Sequence, residues 1–196
     1  MIKHFHKNSI IPHGMEKSFT YSKLDDSYLF KKKKASLKAL YGELTETVKK
    51  EIDPDCQYLP FSFYREVDLF LSIESLFYLF SYFYCRFCYL SPYHRPLVSL
   101  SEIAEGEFHL LMHIKKDALS RFPNFEELFA KAQYLATLSG FVIEKQEEEK
   151  AVVFYFLLKE DTSGGRDTMY ILPYLLAKRW CKAAAQASKN DMEAEA

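Results

Sequence analysis

The sequence predicts an α+β fold: a two-layer sandwich in which helices cover one face of a mixed or antiparallel sheet. The main reason is the order of periodic segments, because residues 67–161 read helix, strand, strand, helix, strand, strand. The composition agrees, since 48% of the residues are hydrophobic and 16% are aromatic, which is too apolar for a disordered chain. A length of 196 residues favours one domain with extra length at its ends.

The first half of the sandwich combines one amphipathic helix, one strand and one unusually aromatic helix. A helix is predicted over 35–52, because its leucines recur at three- and four-residue steps. Residues 57–64 alternate and are rich in aromatics, which indicates a strand, and Pro60 places that strand at a sheet edge. Residues 67–90 predict a helix that is buried on most of its circumference.

The second half is two hairpins with a helix between them. The strands are predicted over 97–103, 108–115, 141–144 and 151–158. The helix between the hairpins begins near Phe125, and its apolar residues form one stripe at helical spacing. Asn124 is the predicted N-cap and Gly140 the predicted left-handed C-cap.

Both ends of the chain are predicted to lie outside the sandwich. Residues 1–34 show no clean period and indicate an arm of irregular turns. Residues 162–165 are typical of a hinge, a helix is expected over 169–187, and the acidic, alanine-rich residues from 190 onward predict a disordered tail. The predicted units are therefore an arm (1–34), the sandwich (35–161), and a hinge with a C-terminal helix and tail (162–196).

The apolar run 69–90 is long enough to be tested as a membrane span. Glu74 and Arg86 interrupt it, and a charge near the middle of a span costs roughly 2.5–3.5 kcal/mol on insertion scales. A helix buried against a sheet explains the run better, so no membrane span is predicted. A membrane-associated component stays open as a minor alternative, which would partition with detergent.

Charge and cysteine content narrow the class of protein further. The formal net charge of −1 gives no overall field that favours nucleic acid, so no nucleic-acid partner is expected. The first residues lack the apolar stretch of a signal peptide, and the four cysteines are expected to be reduced thiols in a cytoplasmic protein. Cys85 and Cys88 form a CxxC pair without a second pair at zinc spacing, so neither metal nor cofactor is predicted.

Three segments carry a resemblance to a known family. They are LFYLFSYFYCRFCYLSP (76–92), LVSLSEIAEGEFHLLMHIKKD (97–117) and FEELFAKAQYLATLSGFVIEKQEEEKAVVFYFLL (125–158). In order and rhythm, residues 66–158 resemble the ATPase domain of the gyrase, heat-shock chaperone and histidine kinase family. The resemblance implies a sheet covered by helices on one face, with ATP between those helices and a flexible lid.

The residues that such a domain needs for ATP are absent from the matching positions. The family has a metal-binding Asn on the first helix, but 75–93 contains no Asn, Asp, Glu or Gln. Asp117 stands where the family has its adenine-contacting aspartate, yet no glycine follows it. The lid is reduced to 120–124, and Glu126 and Glu127 at the start of the last helix would repel a triphosphate. A degenerate domain without ATPase or kinase activity is predicted.

Two functional hypotheses follow. The first is a non-catalytic regulatory or protein-interaction module in signal transduction, which has kept the scaffold and lost the nucleotide site. Its aromatic helix either fills the former pocket or forms a surface for a protein partner or self-association, and the candidate residues are Phe77, Tyr78, Phe80, Tyr82, Phe83, Tyr84 and Phe87. The alternative is a divergent nucleotide-binding kinase or phosphotransferase of a bacterial signalling system, in which Asp117 contacts adenine.

Overall fold

The computed structural model describes residues 31–163, 170 and 172–195. Their helices are α1 (Leu37–Glu51), α2 (Ile73–Leu90), α3 (Lys116–Ser120), α4 (Phe125–Ser139) and α5 (Tyr174–Glu195). Their strands are β1 (Lys33–Ser36), β2 (Gln57–Tyr58), β3 (Asp68–Leu71), β4 (Leu97–Ala104), β5 (Glu107–Lys115), β6 (Val142–Glu147) and β7 (Ala151–Lys159).

The main sheet has five strands in the order β2-β4-β5-β7-β6. β2 runs parallel to β4, and the other neighbouring pairs are antiparallel, so the sheet is mixed. β1 and β3 form a separate antiparallel pair, which an isolated bridge between Leu69 and Glu160 joins to the end of β7. The predicted α+β sandwich is confirmed.

Helices cover one face of this sheet. Along β5 every second side chain is buried, from Phe108 to Ile114, while the residues between them are only half-buried. On β7, Phe154 and Phe156 belong to the same buried face and contact rings of α2 and α4. Because successive side chains of a strand point to opposite faces, this alternation divides the sheet into one face that helices cover and one that is more open.

The C-terminal helix α5 packs on the side of α2 that faces away from the sheet. The ring centroids of Tyr78 and Trp180 lie 6.2 Å apart, and Ser81 Oγ lies 3.1 Å from Cys181 Sγ. α5 also contacts α1. Because the sheet, α4, α1 and α5 surround α2, nearly every residue from Ile73 to Phe87 is buried. This position explains why α2 is apolar all round.

The start of the aromatic helix was predicted too early. Residues 68–71 are strand β3, whose side chains alternate between inside and outside and which pairs with β1. Helix α2 begins only after Ser72, whose hydroxyl accepts a hydrogen bond from the Ser75 backbone N–H at 3.3 Å. β1 itself was missed, and it begins at Lys33, inside the predicted arm.

Two further local predictions need correction. Only Gln57 and Tyr58 of the expected 57–64 strand form a ladder, although β2 does lie at the sheet edge. Asn124 is the N-cap residue of α4 as predicted, but it has φ 52° and its side chain makes no capping hydrogen bond. Asparagine tolerates this left-handed conformation better than most residues do. Gly140 is confirmed as a left-handed C-cap, with φ 91°.

The predicted disordered tail is wrong. α5 continues as helix to Glu195, because Asp191 and Glu195 are held by side chains of α2. The predictions for the arm 1–30 and for the glycines of the hinge fall outside the described residues.

Candidate functional site

The aromatic side chains of α2 are distributed between its two sides. Phe80 packs on Phe156 with centroids 5.3 Å apart, and Phe83 stacks on Phe154 at 5.9 Å. On the opposite side, Tyr82 donates a hydrogen bond of 2.6 Å to Asp191 of α5. The seven candidate residues, Phe77, Tyr78, Phe80, Tyr82, Phe83, Tyr84 and Phe87, are all at most 3% exposed. Their rings therefore build the interior and offer no exposed surface to a partner.

Six phenylalanines form one group, here called the phenylalanine cluster: Phe83, Phe87, Phe122, Phe125, Phe129 and Phe154. Its contacting rings have centroids 5.1–6.5 Å apart, which is the normal separation of packed aromatic pairs. The rings come from α2, from the connection after α3, from the start of α4 and from β7. The space between these elements is therefore filled by side chains.

Two cations lie over the outer rings of the phenylalanine cluster. Arg86 Cζ is 4.4 Å from the centroid of Phe122, and Lys145 Nζ is 4.9 Å from that of Phe125. Both distances are within the range of a cation–π interaction. Lys145 also pairs with Glu126. These contacts close the cluster at its edges.

Asp117 lies in the first turn of α3, directly after β5. Its side chain is 54% exposed and pairs at 3.4 Å with Arg121, the C-cap residue that directly follows α3. Arg121 in turn donates to the Leu90 carbonyl oxygen at 3.4 Å, at the end of α2. The structure thus places Asp117 in a surface ion pair, outside the phenylalanine cluster.

A buried carboxylate at the far end of α2 was not found by sequence reasoning. Asp53 is 4% exposed and accepts a 2.8 Å hydrogen bond from the Tyr84 hydroxyl. Arg95 Nε lies 3.5 Å and Cys88 Sγ 3.8 Å from the same oxygen, Oδ2. The four residues come from three separate segments, so no local pattern connects them. They tie the end of α1 to α2 and to the loop before β4.

The thiols near this carboxylate are not prepared for nucleophilic chemistry. Burial raises the pKa of Cys88 to about 12, and burial likewise raises the pKa of Cys56 and of Cys85. A thiol attacks as its thiolate, and these shifts keep the protonated form dominant at neutral pH. Within the described ranges, no three His, Cys, Asp or Glu side chains converge as metal ligands would.

A second buried charge lies on the α5 side of α2. Arg86 is fully buried, and its Nη2 pairs with Glu195 at 2.5 Å while its Nη1 donates to the Ser188 carbonyl oxygen at 3.4 Å. Together with the Tyr82–Asp191 hydrogen bond, this ion pair fixes the last two turns of α5. Arg86, which interrupted the apolar run in the sequence, therefore serves the docking of the C-terminal helix.

Burial raises the pKa of Asp191, although the Tyr82 hydrogen bond and the nearby Arg86 act in the opposite direction. Folding therefore favours the protonated form of the Asp191 carboxyl. The stability that this form contributes is complete below the pKa of about 3.9 that the group has in the unfolded chain, and it is lost as pH rises through the higher pKa of the folded protein. Asp191→Asn can still accept the Tyr82 hydrogen bond. We expect the stability of this variant to fall less than that of the parent as pH rises above about 4.

Urea denaturation at a series of pH values measures this difference. Asp117→Asn removes a carboxylate at an exposed position and is the matched control. A variant Asp191→Asn that loses stability with rising pH as steeply as the parent would contradict the expectation.

No helix in the described part of the chain is both long and apolar enough to cross a membrane. No protein-family model matches the sequence, and no curated protein matches it either. Among solved structures, the chain is similar to the Acinetobacter baumannii histidine kinase AdeS, with 9% sequence identity and a TM-score of 0.43. That similarity covers 76% of this chain and 74% of the kinase chain. Similarity at this level does not assign the chain to a family.

Proposed function

We propose that the protein is a non-catalytic regulatory module on a histidine-kinase-type scaffold, which acts in cytoplasmic signal transduction by binding a protein partner or a second copy of itself. The observation that supports this proposal is the phenylalanine cluster. The sequence resemblance would place a nucleotide among the first helix, the loop after Asp117 and the start of the last helix. In this chain those three parts meet one another through phenylalanine rings.

A nucleotide would have to displace this packed interior. The phosphates of ATP need backbone donors and a metal held by hard oxygen ligands. The start of α4 instead carries Glu126 and Glu127, and its first side chain, Phe125, points into the cluster. In the alternative kinase function Asp117 would contact adenine. In the structure its side chain pairs with Arg121 at the surface.

Thermal melts with millimolar Mg-ATP and Mg-ADP test the nucleotide half of the proposal. A ligand at a hundred times its Kd stabilises a protein by about 2.7 kcal/mol, which corresponds to several degrees in Tm for a chain of this size. We expect a shift below about 1 °C for both nucleotides. Asp117→Ala should behave like the parent, since an exposed ion pair contributes about 0–1 kcal/mol.

A shift of several degrees that Asp117→Ala abolishes would refute the non-catalytic proposal and support a nucleotide-binding kinase. The mass in solution over a range of protein concentrations tests self-association in the same preparation. If the protein is a monomer at every concentration, self-association is excluded and the partner must be a different protein.

A further inference from the structure

One side of α5 is exposed along the helix and carries mainly cations. Its members are Leu175, Lys178, Arg179, Lys182 and Lys189, here called the basic stripe. They stand at positions i, i+3, i+4, i+7 and i+14, which share one side of an α-helix. Lys182 and Lys189 are 60% and 62% exposed, and Leu175 is 76% exposed. The opposite side of the helix, including Trp180 and Cys181, is buried against α1 and α2.

The last turn of α1 adjoins the beginning of this stripe. Glu51 accepts a 2.6 Å hydrogen bond from the Tyr174 hydroxyl and pairs with Lys178 at 2.9 Å. Lys50 Nζ lies 5.8 Å from the centroid of the Tyr174 ring. The two helix ends therefore present one continuous surface.

Cations outnumber their paired carboxylates on this surface. The cations are Lys49, Lys50, Lys178, Arg179, Lys182 and Lys189, and the carboxylates paired with them are Glu46, Glu51 and Glu193. The whole chain has a net charge of −1, so this positive charge is local. A partner that complements the surface must be anionic.

Three exposed apolar side chains stand at the start of α5, and they are here called the apolar tip. Tyr174, Leu175 and Leu176 are 40%, 76% and 37% exposed. Consecutive helical residues point about 100° apart, so the three side chains spread around the helix start and do not share one face. Exposed leucine and aromatic side chains beside a basic helix face are typical of helices that bind a membrane surface.

We infer that the apolar tip and the basic stripe bind the surface of a membrane rich in anionic phospholipid. The tip enters the boundary between headgroups and acyl chains, and the lysines and arginine lie against the lipid phosphates. This arrangement requires no span and does not depend on whether the protein binds nucleotide. It is a separate activity from the regulatory function proposed above.

Cosedimentation of the full chain with vesicles tests the inference. One set of vesicles is phosphatidylcholine alone, and the other contains about a third phosphatidylserine, which creates the negative surface potential. Binding is expected to the anionic vesicles and to weaken as salt is raised, since salt screens the attraction. Equal binding to both sets, or to neither, would overturn the inference.

Two double variants test whether vesicle binding depends on the basic stripe or only on the net charge of the protein. Each basic residue near an anionic surface contributes about 1 kcal/mol, so Arg179→Ala with Lys182→Ala should weaken binding roughly 25- to 30-fold. The control is Lys116→Ala with Lys159→Ala, which changes the net charge equally at exposed positions on other elements. A control that weakens binding as much as the stripe variant would show that only net charge matters.

A further pair of variants tests the tip. Leu175→Ser should weaken binding by at least about fivefold, because the leucine no longer contributes a buried apolar side chain. Leu59→Ser, at a residue that is 51% exposed elsewhere, should have no effect. All positions are exposed, and unchanged melting temperatures confirm that the variants fold. Binding to soluble polyglutamate without binding to vesicles would assign the surface to an acidic protein and overturn the inference.

Discussion

Phe83→Ala is expected to lower the free energy of unfolding by about 3–5 kcal/mol, the usual cost of removing a buried aromatic ring. Phe83 is fully buried and its ring contacts those of Phe87, Phe122, Phe125, Phe129 and Phe154, so its loss opens a cavity at the centre of the phenylalanine cluster. Domains have only about 5–15 kcal/mol of stability in total, so this one change removes a large fraction.

Urea denaturation followed by circular dichroism measures the loss. Phe83→Leu keeps most of the apolar volume and should cost clearly less, which provides a readout if the alanine variant does not fold. Tyr93→Ala is the control, because Tyr93 is 91% exposed and surface substitutions usually change stability by less than about 0.5 kcal/mol. Equal losses for Phe83→Ala and Tyr93→Ala would show that the cluster is not packed as described.

The second large effect is expected at the ion pair between Arg86 and Glu195. Glu195→Gln leaves the buried guanidinium without its carboxylate, and breaking a buried pair in this way costs about 3–5 kcal/mol. The side chain of Glu195 is 21% exposed, so water can replace part of the interaction, and we expect a loss of about 2–3 kcal/mol. Arg86→Met removes the buried charge itself and should cost less than Glu195→Gln.

The double variant completes this test. Arg86→Met with Glu195→Gln should be about as stable as Arg86→Met alone, because Glu195 has no further role once the guanidinium is gone. Glu193→Gln breaks an exposed pair with Lys189 in the same last turns of α5 and should cost less than about 1 kcal/mol. If the two single losses simply add in the double variant, then Arg86 and Glu195 do not interact.

Elements set by local patterns could be predicted from the sequence. The β6–β7 hairpin and the Gly140 cap were found because alternation and a glycine after an apolar stripe act over a few residues. β3 was merged into the aromatic helix, since its partner β1 lies over thirty residues earlier and has no clean period. Only the pairing of the two segments identifies Asp68–Leu71 as a strand.

The same distinction applies to the candidate site. Asp117 was located correctly after the second strand of its hairpin, but its pairing with Arg121 depends on the helical turn that follows. The contacts of Asp53 join segments up to 42 residues apart in numbering, from Asp53 to Arg95, and could not be found by spacing. The burial of the aromatic side chains on both sides of α2 likewise required the position of α5.

The contacts between α2 and α5 have a consequence for biosynthesis. Tyr82 and Asp191 are separated by 109 positions, as are Arg86 and Glu195. Translation makes the N-terminal part of a chain first. The side of α2 that α5 later covers therefore stays uncovered until α5 itself has left the ribosome. Its aromatic rings are then an exposed apolar surface, so nascent chains stalled before α5 are expected to be targets for chaperones.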